Sequence, residues 1–320
     1  MSTSENEITR IYSFPLIELV QKAATIHQVN FPEKQVQASS LLSIKTGGCP
    51  ENCSYCPQSA HHKTGLDKTE LMQVGDVLAA AKKARSSGAT RFCMGAAWRE
   101  VRDGRDFDDV LEMVSGVASL GLEVCCTLGM LNETQAKRLK NAGLDFYNHN
   151  IDTSRDHYKK IIQTRNFSDR LSTIENVRNA GLSVCTGGIL GLGESHEDRI
   201  KFIRELVSLE PMPESITINT LVPIAGTPMA ENESVDPLDV VRVIAVLRIL
   251  ANKSMIRLSA GRMRLGAEAQ FLCFLAGANS IFLGDKLLTS PNPLVNEDAA
   301  LLNKLGLKLK PLATYETNRN

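Results

Sequence analysis

The sequence predicts an α/β fold, a TIM-type (β/α)8 barrel in which eight parallel strands alternate with helices. Short, β-branched apolar segments alternate with longer amphipathic segments along almost the whole chain. Several helical segments end at a glycine directly before the next strand, as in the phrase NAGL at 141–144 and again at 179–182. The length of 320 residues also fits a barrel of eight βα units. An open, doubly wound sheet is the alternative topology for this pattern.

Eight segments have the composition of strands, and the segments between them have the length and apolar spacing of helices. Parallel strands need such long crossover connections. The predicted strands are 41–46, 90–95, 122–128, 146–151, 183–189, 215–221, 256–259 and 280–283. The predicted helices are 68–86, 108–120, 133–142, 170–180, 197–209, 237–252 and 266–276.

The two ends of the chain are predicted to lie outside the barrel. Residues 1–40 form an N-terminal helical extension, with one helix at 14–29 packed against the outside of the barrel. The barrel itself takes residues 41–305 and ends with a helix at 295–305. Residues 306–320 form a polar C-terminal tail.

Composition and charge exclude several classes of partner. The chain has 36 basic and 36 acidic residues, so no net field attracts it to nucleic acid or to an anionic membrane. No run reaches the roughly 18 apolar residues that a membrane span needs. The polar N-terminal residues do not have the pattern of a targeting peptide. We therefore expect no nucleic acid, no membrane and a reducing cytoplasm.

Three of the eight cysteines lie close together in the loop after the first predicted strand. They are Cys49, Cys53 and Cys56, in the pattern CxxxCxxC. Active sites of such barrels lie at the carboxyl ends of the strands, and three thiolates on one short loop can converge on one metal centre. Zinc would need a fourth ligand, from His61, His62 or a more distant residue. A 4Fe–4S cluster needs only the three cysteines and keeps one iron open.

Three further cysteines and one arginine lie within predicted strands. Strand residues alternate between the inside and the outside of a barrel, so Cys125 and its neighbour Cys126 must face opposite ways. The spacing before TLG favours Cys125 as the inward residue. An arginine that points into a barrel is costly unless it is paired, and nearby thiolates would pair it. The inward candidates are Cys93, Cys125, Cys185 and Arg257, whereas Cys273 lies in a helix and is expected to serve packing.

The cysteine loop resembles the signature of the radical S-adenosylmethionine superfamily. Tyr55 stands just before the last cysteine, and the motif GxIxGxxE follows at 187–194. The resemblance implies that the three loop cysteines hold a 4Fe–4S cluster, whose open iron binds S-adenosylmethionine. The segments at 91–99, 147–154, 256–262 and 277–289 are similar to the branch of the superfamily that inserts sulfur into dethiobiotin to give biotin. This likeness extends over roughly residues 40–300.

The resemblance also implies a second cluster, the sulfur donor, inside the barrel. In that branch a 2Fe–2S cluster is bound by three cysteines and one arginine, which correspond here to Cys93, Cys125, Cys185 and Arg257. The implied activity is that of a sulfurtransferase that uses radical chemistry, with no side chain as acid or base. A sulfide of the inner cluster is the sulfur that enters dethiobiotin.

Polar residues near the strand ends are the candidate contacts to cofactor and substrate. Asn150 and Asp152 are two residues apart, so they share a face of the fourth strand; a strand-ending turn pair is the structural alternative. By resemblance, S-adenosylmethionine contacts Tyr55, Asn150, Asp152, Arg170 and Ile189. By resemblance, dethiobiotin contacts Asn150, Asn219 and the backbone amides of Thr289 and Ser290. Lys45 could balance the charge of the loop, His61 and His62 are expected in solvent, and His149 has no assigned role.

The sequence is also compatible with other functions. Another radical S-adenosylmethionine enzyme, such as a hydrogenase-maturation enzyme or lipoyl synthase, would share the barrel. Lipoyl synthase has an additional cysteine motif near its N-terminus, whereas residues 1–48 here contain no cysteine. A structural zinc or iron–sulfur module is the non-catalytic alternative. The resemblance further implies a flavodoxin- or ferredoxin-type electron donor and a homodimer. The sequence does not identify the donor, the route of cluster renewal or whether Cys126 could replace Cys125.

Overall fold

The computed structural model describes residues 4–312, and in them eight parallel strands close into a barrel. Each strand pairs with the next in chain order, and β8 pairs with β1 to complete the circle. The predicted barrel is confirmed, and the alternative topology of an open, doubly wound sheet is wrong. The strands are β1 (Gln35–Lys45), β2 (Arg91–Ala96), β3 (Glu123–Thr127), β4 (Phe146–Asn148), β5 (Ser183–Leu190), β6 (Ser215–Thr220), β7 (Met255–Leu258) and β8 (Ser280–Leu283).

Helices surround the barrel and bury their apolar faces against it. Several helices begin at a side-chain cap. For example, the Asn132 side chain accepts from the backbone N–H of Gln135 at 2.9 Å, and the Gln135 side chain accepts from the backbone N–H of Asn132 at 3.1 Å. The helices are α1 (Glu5–Tyr12), α2 (Leu16–Asn30), α3 (Val74–Ser86), α4 (Arg105–Ser119), α5 (Glu133–Asn141), α6 (Arg155–Ile161), α7 (Phe167–Asn179), α8 (His196–Val207), α9 (Pro237–Leu250), α10 (Ala267–Leu275) and α11 (Val295–Lys304). A short 3₁₀ turn lies at Arg262–Arg264.

The first strand begins six residues earlier than the pattern predicted, within the segment assigned to the N-terminal extension. Residues 35–40 read QVQASS and have no apolar run, so they do not look like a buried strand. Gln37 and Ser39 are nevertheless 2% and 0% exposed. Their side chains bond to other polar groups inside the barrel, including Glu123 and Arg257. Burial of a polar strand is possible here because the interior supplies the partners.

Both ends of the chain contain structure that the sequence pattern did not show. Two helices, not one, precede the barrel, and the Arg242 guanidinium of α9 bonds to the carbonyls of Tyr12 and Phe14 at 2.6 and 2.9 Å. Near the C-terminus, β9 (Lys308–Leu309) pairs with the start of β1. The predicted polar tail thus contains a short strand, and its residues 313–320 lie outside the described part. Within residues 4–312, none of the helices is both long and apolar enough to cross a membrane.

Close contact between β5 and β6 requires glycine at position 187. A Cβ atom there would lie 1.9 Å from the carbonyl oxygen of Thr217, so Gly187→Ala must push the two strands apart. We expect the free energy of unfolding to fall by about 1–3 kcal/mol or more, measured as a lower Tm in thermal unfolding.

The control for this change is Gly75→Ala in α3. No atom lies within 4 Å of a Cβ built at Gly75, and alanine favours a helix over glycine by up to about 1 kcal/mol. This variant should keep or raise the Tm. An unchanged Tm in Gly187→Ala would contradict the close strand contact.

Candidate active site at the carboxyl ends of the strands

The CxxxCxxC loop leaves β1 at the carboxyl end of the barrel and folds back on itself. Gly47 and Gly48 both have φ of +72°, a left-handed conformation that glycine adopts without strain. The Cys49 N–H donates to the carbonyl of Gln58 at 2.9 Å, and the Cys49 carbonyl accepts from Ala60 at 2.7 Å. These bonds close the loop, so the three thiols are carried on one compact turn.

The last residue of α6 and the segment after it hold this loop from the other side. The Asn52 side-chain oxygen accepts from the backbone N–H groups of Gln163 and Thr164, at 2.9 and 3.2 Å. The Ser54 N–H donates to the carbonyl of Ile161 at 3.0 Å. The loop is therefore held by the rest of the barrel, and it does not depend only on its own turns.

A buried carboxylate inside the loop joins it to two arginines. Glu51 is 2% exposed, and one of its oxygens lies 2.9 Å from Arg99 Nη1 and 3.8 Å from Arg165 Nε. Thr164 donates its hydroxyl to the other oxygen. Glu51, Asn52 and Arg165 are not among the residues that the sequence pattern predicted for the site. The only signal for them is that two polar residues stand between cysteines.

Burial controls the ionisation of the loop thiols. It raises the pKa of Cys53 to about 12 and that of Cys56 to about 11, while the nearby Arg170 counteracts part of the effect at Cys53. Without a metal these thiols stay protonated at neutral pH, and a metal centre must displace the protons because cysteine ligates as thiolate. Within the described part of the chain, no three His, Cys, Asp or Glu side chains are grouped to hold a single metal ion.

A second group of thiols lies deeper in the barrel. Cys93 and Cys125 are register partners on β2 and β3, and Cys185 lies on β5 opposite Asn148, whose amide reaches the Cys185 sulfur at 3.2 Å. All three cysteines are at most 3% exposed. Cys126 is buried on the opposite face, in the core between strands and helices. The structure thus places Cys125 inside the barrel with Cys93, and Cys126 outside it.

The three inner thiols are hydrogen-bonded to one another and lie near Arg257. Hydrogen bonds from Cys125 to its two neighbours raise the pKa of Cys125 and lower the pKa of Cys93 and of Cys185. The positive charge of Arg257 adds to the lowering at Cys93 and Cys185. Anionic sulfur is therefore favoured at this position, as an iron–sulfur cluster requires.

Arg257 is held in place by hydroxyl groups and not by a carboxylate. Its Nε donates to Ser280 Oγ at 3.0 Å, and its Nη2 donates to Ser39 Oγ at 2.9 Å. Its Nη1 lies 4.0 Å from the sulfur of Cys185. The guanidinium is 1% exposed and stacks at 4.6 Å on the ring of Phe282. A buried cation in this position needs an anion, and the thiols are the groups that can supply it.

A cavity of about 240 Å³ lies between the two groups of thiols. Cys56 lines it from the loop side, and Cys93, Cys125 and Arg257 line it from the inner side. A second cavity of about 180 Å³ adjoins it and is lined by Tyr55, Asp152 and Ile189. Five residues line both cavities: Asn150, Asn219, Ala260, Thr289 and Ser290. A larger cavity of about 850 Å³ lies on the outside, between α3 and residues 284–299, and no cysteine lines it.

Two of the predicted cofactor residues, Asp152 and Arg170, are bonded to each other. Asp152 is buried with φ of +67° and forms an ion pair with Arg170, whose Nε also donates to the Tyr158 hydroxyl at 3.0 Å. Arg170 is thus an interior residue and not a solvated helix arginine. Asn150 accepts from the Thr217 hydroxyl at 2.9 Å. The Asp152 backbone lies close to β5, since a Cβ at Gly188 would lie 2.4 Å from the Asp152 carbonyl oxygen.

The remaining polar candidates have mainly structural contacts. The Asn219 amide donates to the Gly188 carbonyl at 3.0 Å and accepts from the Ala260 N–H at 3.1 Å, which leaves one N–H and one lone pair for a ligand. Lys45 Nζ donates to the Gly47 carbonyl at 3.1 Å. His61 and His62, expected in solvent, bond at 3.0 Å to the carbonyls of Pro50 and Cys53.

His149 is buried beneath this region. Burial holds its pKa well below the ordinary value, and Arg170 and Arg165 lower it further. It is therefore neutral at physiological pH and takes no proton.

Comparison with known proteins identifies the class. Residues 43–206 match the family model of the radical SAM superfamily, and residues 217–308 match the Biotin and Thiamin Synthesis associated domain. The chain is thus a radical S-adenosylmethionine enzyme, a class whose members carry a 4Fe–4S cluster with S-adenosylmethionine.

Full-length relatives then define the family more closely. The biotin synthase of Myxococcus xanthus is 58% identical over 95% of this chain and 88% of its own length. That of Neorickettsia sennetsu is 59% identical over 94% and 93%, and that of Gloeobacter violaceus 55% over 97% and 98%. The chain belongs to the biotin synthase family.

Solved structures with lower identity share the fold. A methylornithine synthase matches with a TM-score of 0.81 at 20% identity, covering 99% of this chain and 96% of its own. The FeFe-hydrogenase maturase of Carboxydothermus hydrogenoformans matches with a TM-score of 0.79 at 18% identity, covering 95% and 75%. The barrel is therefore common to enzymes of different activity.

The bonds made by Asn52 predict how firmly the cysteine loop retains its cluster. Asn52→Ala removes the acceptor of two backbone N–H groups, and each hydrogen bond at this partly exposed position contributes on the order of 0.5–1.5 kcal/mol. We expect the variant to fold but to lose iron to a chelator several-fold faster than the unsubstituted protein, followed by absorbance under anaerobic conditions.

Asn52→Asp is the matched control, since its carboxylate still accepts from both N–H groups. Iron release from this variant should stay close to that of the unsubstituted protein. Equal release rates for the Ala and Asp variants would show that the tether has no effect on cluster retention.

Proposed function

We propose that this chain inserts sulfur into dethiobiotin to form biotin, with an inner 2Fe–2S cluster as the sulfur donor. One observation carries the proposal: the cavity of about 240 Å³ has the loop cysteine Cys56 on one wall and Cys93, Cys125 and Arg257 on the other. A substrate in this cavity would lie between a radical source and a sulfur source. The names of the relatives support the same reaction.

The residues of both centres fit iron–sulfur clusters. The loop supplies three thiols, and three ligands leave one iron of a 4Fe–4S cluster open to S-adenosylmethionine. Inside the barrel, three thiols and the Arg257 guanidinium supply four donors in a water-poor setting. When bound, the outer cluster supplies the electron that cleaves S-adenosylmethionine reductively, and the inner cluster supplies the sulfide.

The cofactor is proposed to occupy the cavity of about 180 Å³. Tyr55 and Ile189 form its apolar walls, and Asp152 and Asn150 provide acceptors for ribose hydroxyls. Arg170 holds Asp152 in position through their ion pair. A direct contact between Arg170 and the cofactor stays a prediction, because the Arg170 guanidinium already bonds to Asp152 and Tyr158.

The substrate is proposed to lie among the residues that both cavities share. Asn150 and Asn219 offer amide groups to the ureido ring, and Asn219 keeps one N–H and one lone pair for it. Thr289 and Ser290 lie at the cavity rim, and among the described residues neither backbone N–H has a hydrogen-bond acceptor. Two free N–H groups can receive the substrate carboxylate.

The chain contributes placement and the exclusion of water, with no acid or base. An unactivated carbon–hydrogen bond is beyond the reach of any side-chain base at neutral pH, so a radical must remove the hydrogen. Leu41, Phe282 and Leu287 line the cavity between the centres and exclude water. Fixed distances between cofactor, substrate and sulfide would limit side reactions.

We further propose a reducing cytoplasm as the setting, supported by eight cysteines that are all free. A flavodoxin- or ferredoxin-type electron donor and a homodimer stay predictions from the resemblance.

Two cysteine substitutions separate the roles of the centres. Cys53→Ala should abolish cleavage of S-adenosylmethionine, because the outer cluster loses a ligand. Cys185→Ala should keep part of that cleavage but form no biotin. The measurement is an anaerobic single turnover with dethiobiotin, reductant and S-adenosylmethionine, in which 5′-deoxyadenosine and biotin are quantified separately.

Cys126→Ala is the control, since Cys126 is buried next to Cys125 but faces away from the cavity. It should form biotin at a rate within a few-fold of the unsubstituted protein. Normal biotin formation by Cys185→Ala would refute the inner cysteines as the site of the sulfur donor.

A further inference from the structure

A second arginine, Arg91, lies inside the barrel next to the inner cysteines, and the proposed function gives it no role. It precedes Cys93 by two positions on β2, so both side chains lie on the inward face. Its side chain is 1% exposed. Its guanidinium carbon lies 3.5 Å from the centre of the Phe146 ring, and Phe146 is the register partner of Cys125. Arg91 therefore forms the layer directly beneath the thiols.

Only part of the Arg91 guanidinium has a partner. Nε donates to Glu123 Oε2 at 3.0 Å. Nη1 is buried, and among residues 4–312 it has no hydrogen-bond acceptor. A buried N–H without an acceptor costs on the order of 1–3 kcal/mol, and more when the group is charged. An acceptor provided by a bound group would remove that cost.

A hydrogen-bonded network joins Arg91 to Arg257. Glu123 accepts from Gln37 Nε2 at 2.9 Å, Gln37 Oε1 accepts from the Ser280 hydroxyl at 3.3 Å, and Ser280 accepts from Arg257 Nε at 3.0 Å. The described network thus contains two guanidinium groups and one carboxylate. The network therefore carries excess positive charge, and both guanidinium groups act electrostatically on Cys93 and Cys185.

We propose that Arg91 is a positioning residue for the inner iron–sulfur cluster, to which its free N–H donates a hydrogen bond while its fixed charge favours the reduced form. This inference rests on the proposed function, because it requires an inner cluster. A cluster held by thiolates carries negative charge that grows on reduction, so a nearby cation stabilises the reduced form more than the oxidised form. Hydrogen bonds to cluster sulfurs act in the same direction.

The test uses the reconstituted holoenzyme with both clusters and no turnover. The inner cluster is titrated anaerobically with dithionite and followed by visible absorption and electron paramagnetic resonance. In Arg91→Met we expect the reduced form to be disfavoured at least tenfold, which is a potential lower by about 59 mV for one electron. The spectrum of the outer cluster in the same sample reports that reconstitution succeeded.

Glu123→Gln is the matched control. It removes the negative charge from the same network and leaves the guanidinium, so the potential should shift in the opposite direction. The Glu123 side chain is 31% exposed, so Arg91→Met leaves this carboxylate partly hydrated. A general loosening of the barrel would move both variants the same way, and that result would overturn the proposal.

Arg91→Lys covers the case in which Arg91→Met fails to take up the inner cluster. Lysine keeps the charge and loses the fork of N–H donors, so it should restore cluster uptake with an intermediate potential. Failure of lysine to restore either one, at a Tm equal to that of the unsubstituted protein, would refute the role of charge.

The outcomes distinguish this inference from the proposed function. If the unsubstituted protein holds no second cluster, the proposed function is wrong, and this inference with it. If it holds both clusters and Arg91→Met changes neither the potential nor the resonance spectrum of the inner one, only the inference about Arg91 is wrong.

Discussion

A guanidinium buried at the centre of a barrel, with no carboxylate to pair it, determines the character of the interior. Arg257 is 1% exposed and bonds to two serine hydroxyls and toward a sulfur atom. Charge in a low-dielectric region must be balanced locally. Hydrogen bonds from Cys125 and the charge of Arg257 lower the pKa of Cys93 and of Cys185, so these two thiols can provide that balance. A purely apolar barrel core, the usual content of this fold, could not hold Arg257.

The loop that carries Cys49, Cys53 and Cys56 is also fixed at several points. The cysteine loop is closed by its own backbone bonds, and bonds that join Asn52 and Ser54 to residues 161–164 attach it to the barrel. Glu51 adds buried ion pairs to Arg99 and Arg165. The cavity between the loop cysteines and the inner cysteines thus has two walls, and each wall is fixed by its own set of contacts.

Sequence patterns predicted the fold and the face of the strand on which each strand cysteine lies, because both follow from periodicity. Alternation along β3 was enough to place Cys125 and Cys126 on opposite faces, as the structure has them. The polar start of β1 escaped prediction, since Gln37 and Ser39 become buried only through partners on other strands. Arg91 and Glu51 were not predicted for the same reason, because the residues that they contact are distant in the sequence. The short helix α6 and the strand at 308–309 carry too few residues for a periodic signal. The assignment of individual cofactor and substrate contacts came from resemblance, and geometry adds only their grouping around two adjoining cavities.

The two family models divide a barrel that the backbone closes without interruption. Residues 43–206 contribute Tyr55, Asp152 and Ile189 to the smaller cavity, whereas Asn219, Thr289 and Ser290 come from residues 217–308. One segment thus carries the contacts assigned to the shared cofactor, and the other carries most of those assigned to the substrate. Evolution could alter the later segment, and with it the molecule acted upon, while the radical-generating half stayed constant. The proposed inner centre would limit that freedom, since Cys93, Cys125 and Cys185 come from the first segment and Arg257 from the second. Any exchange between relatives that kept sulfur chemistry would have to carry both halves of the centre together.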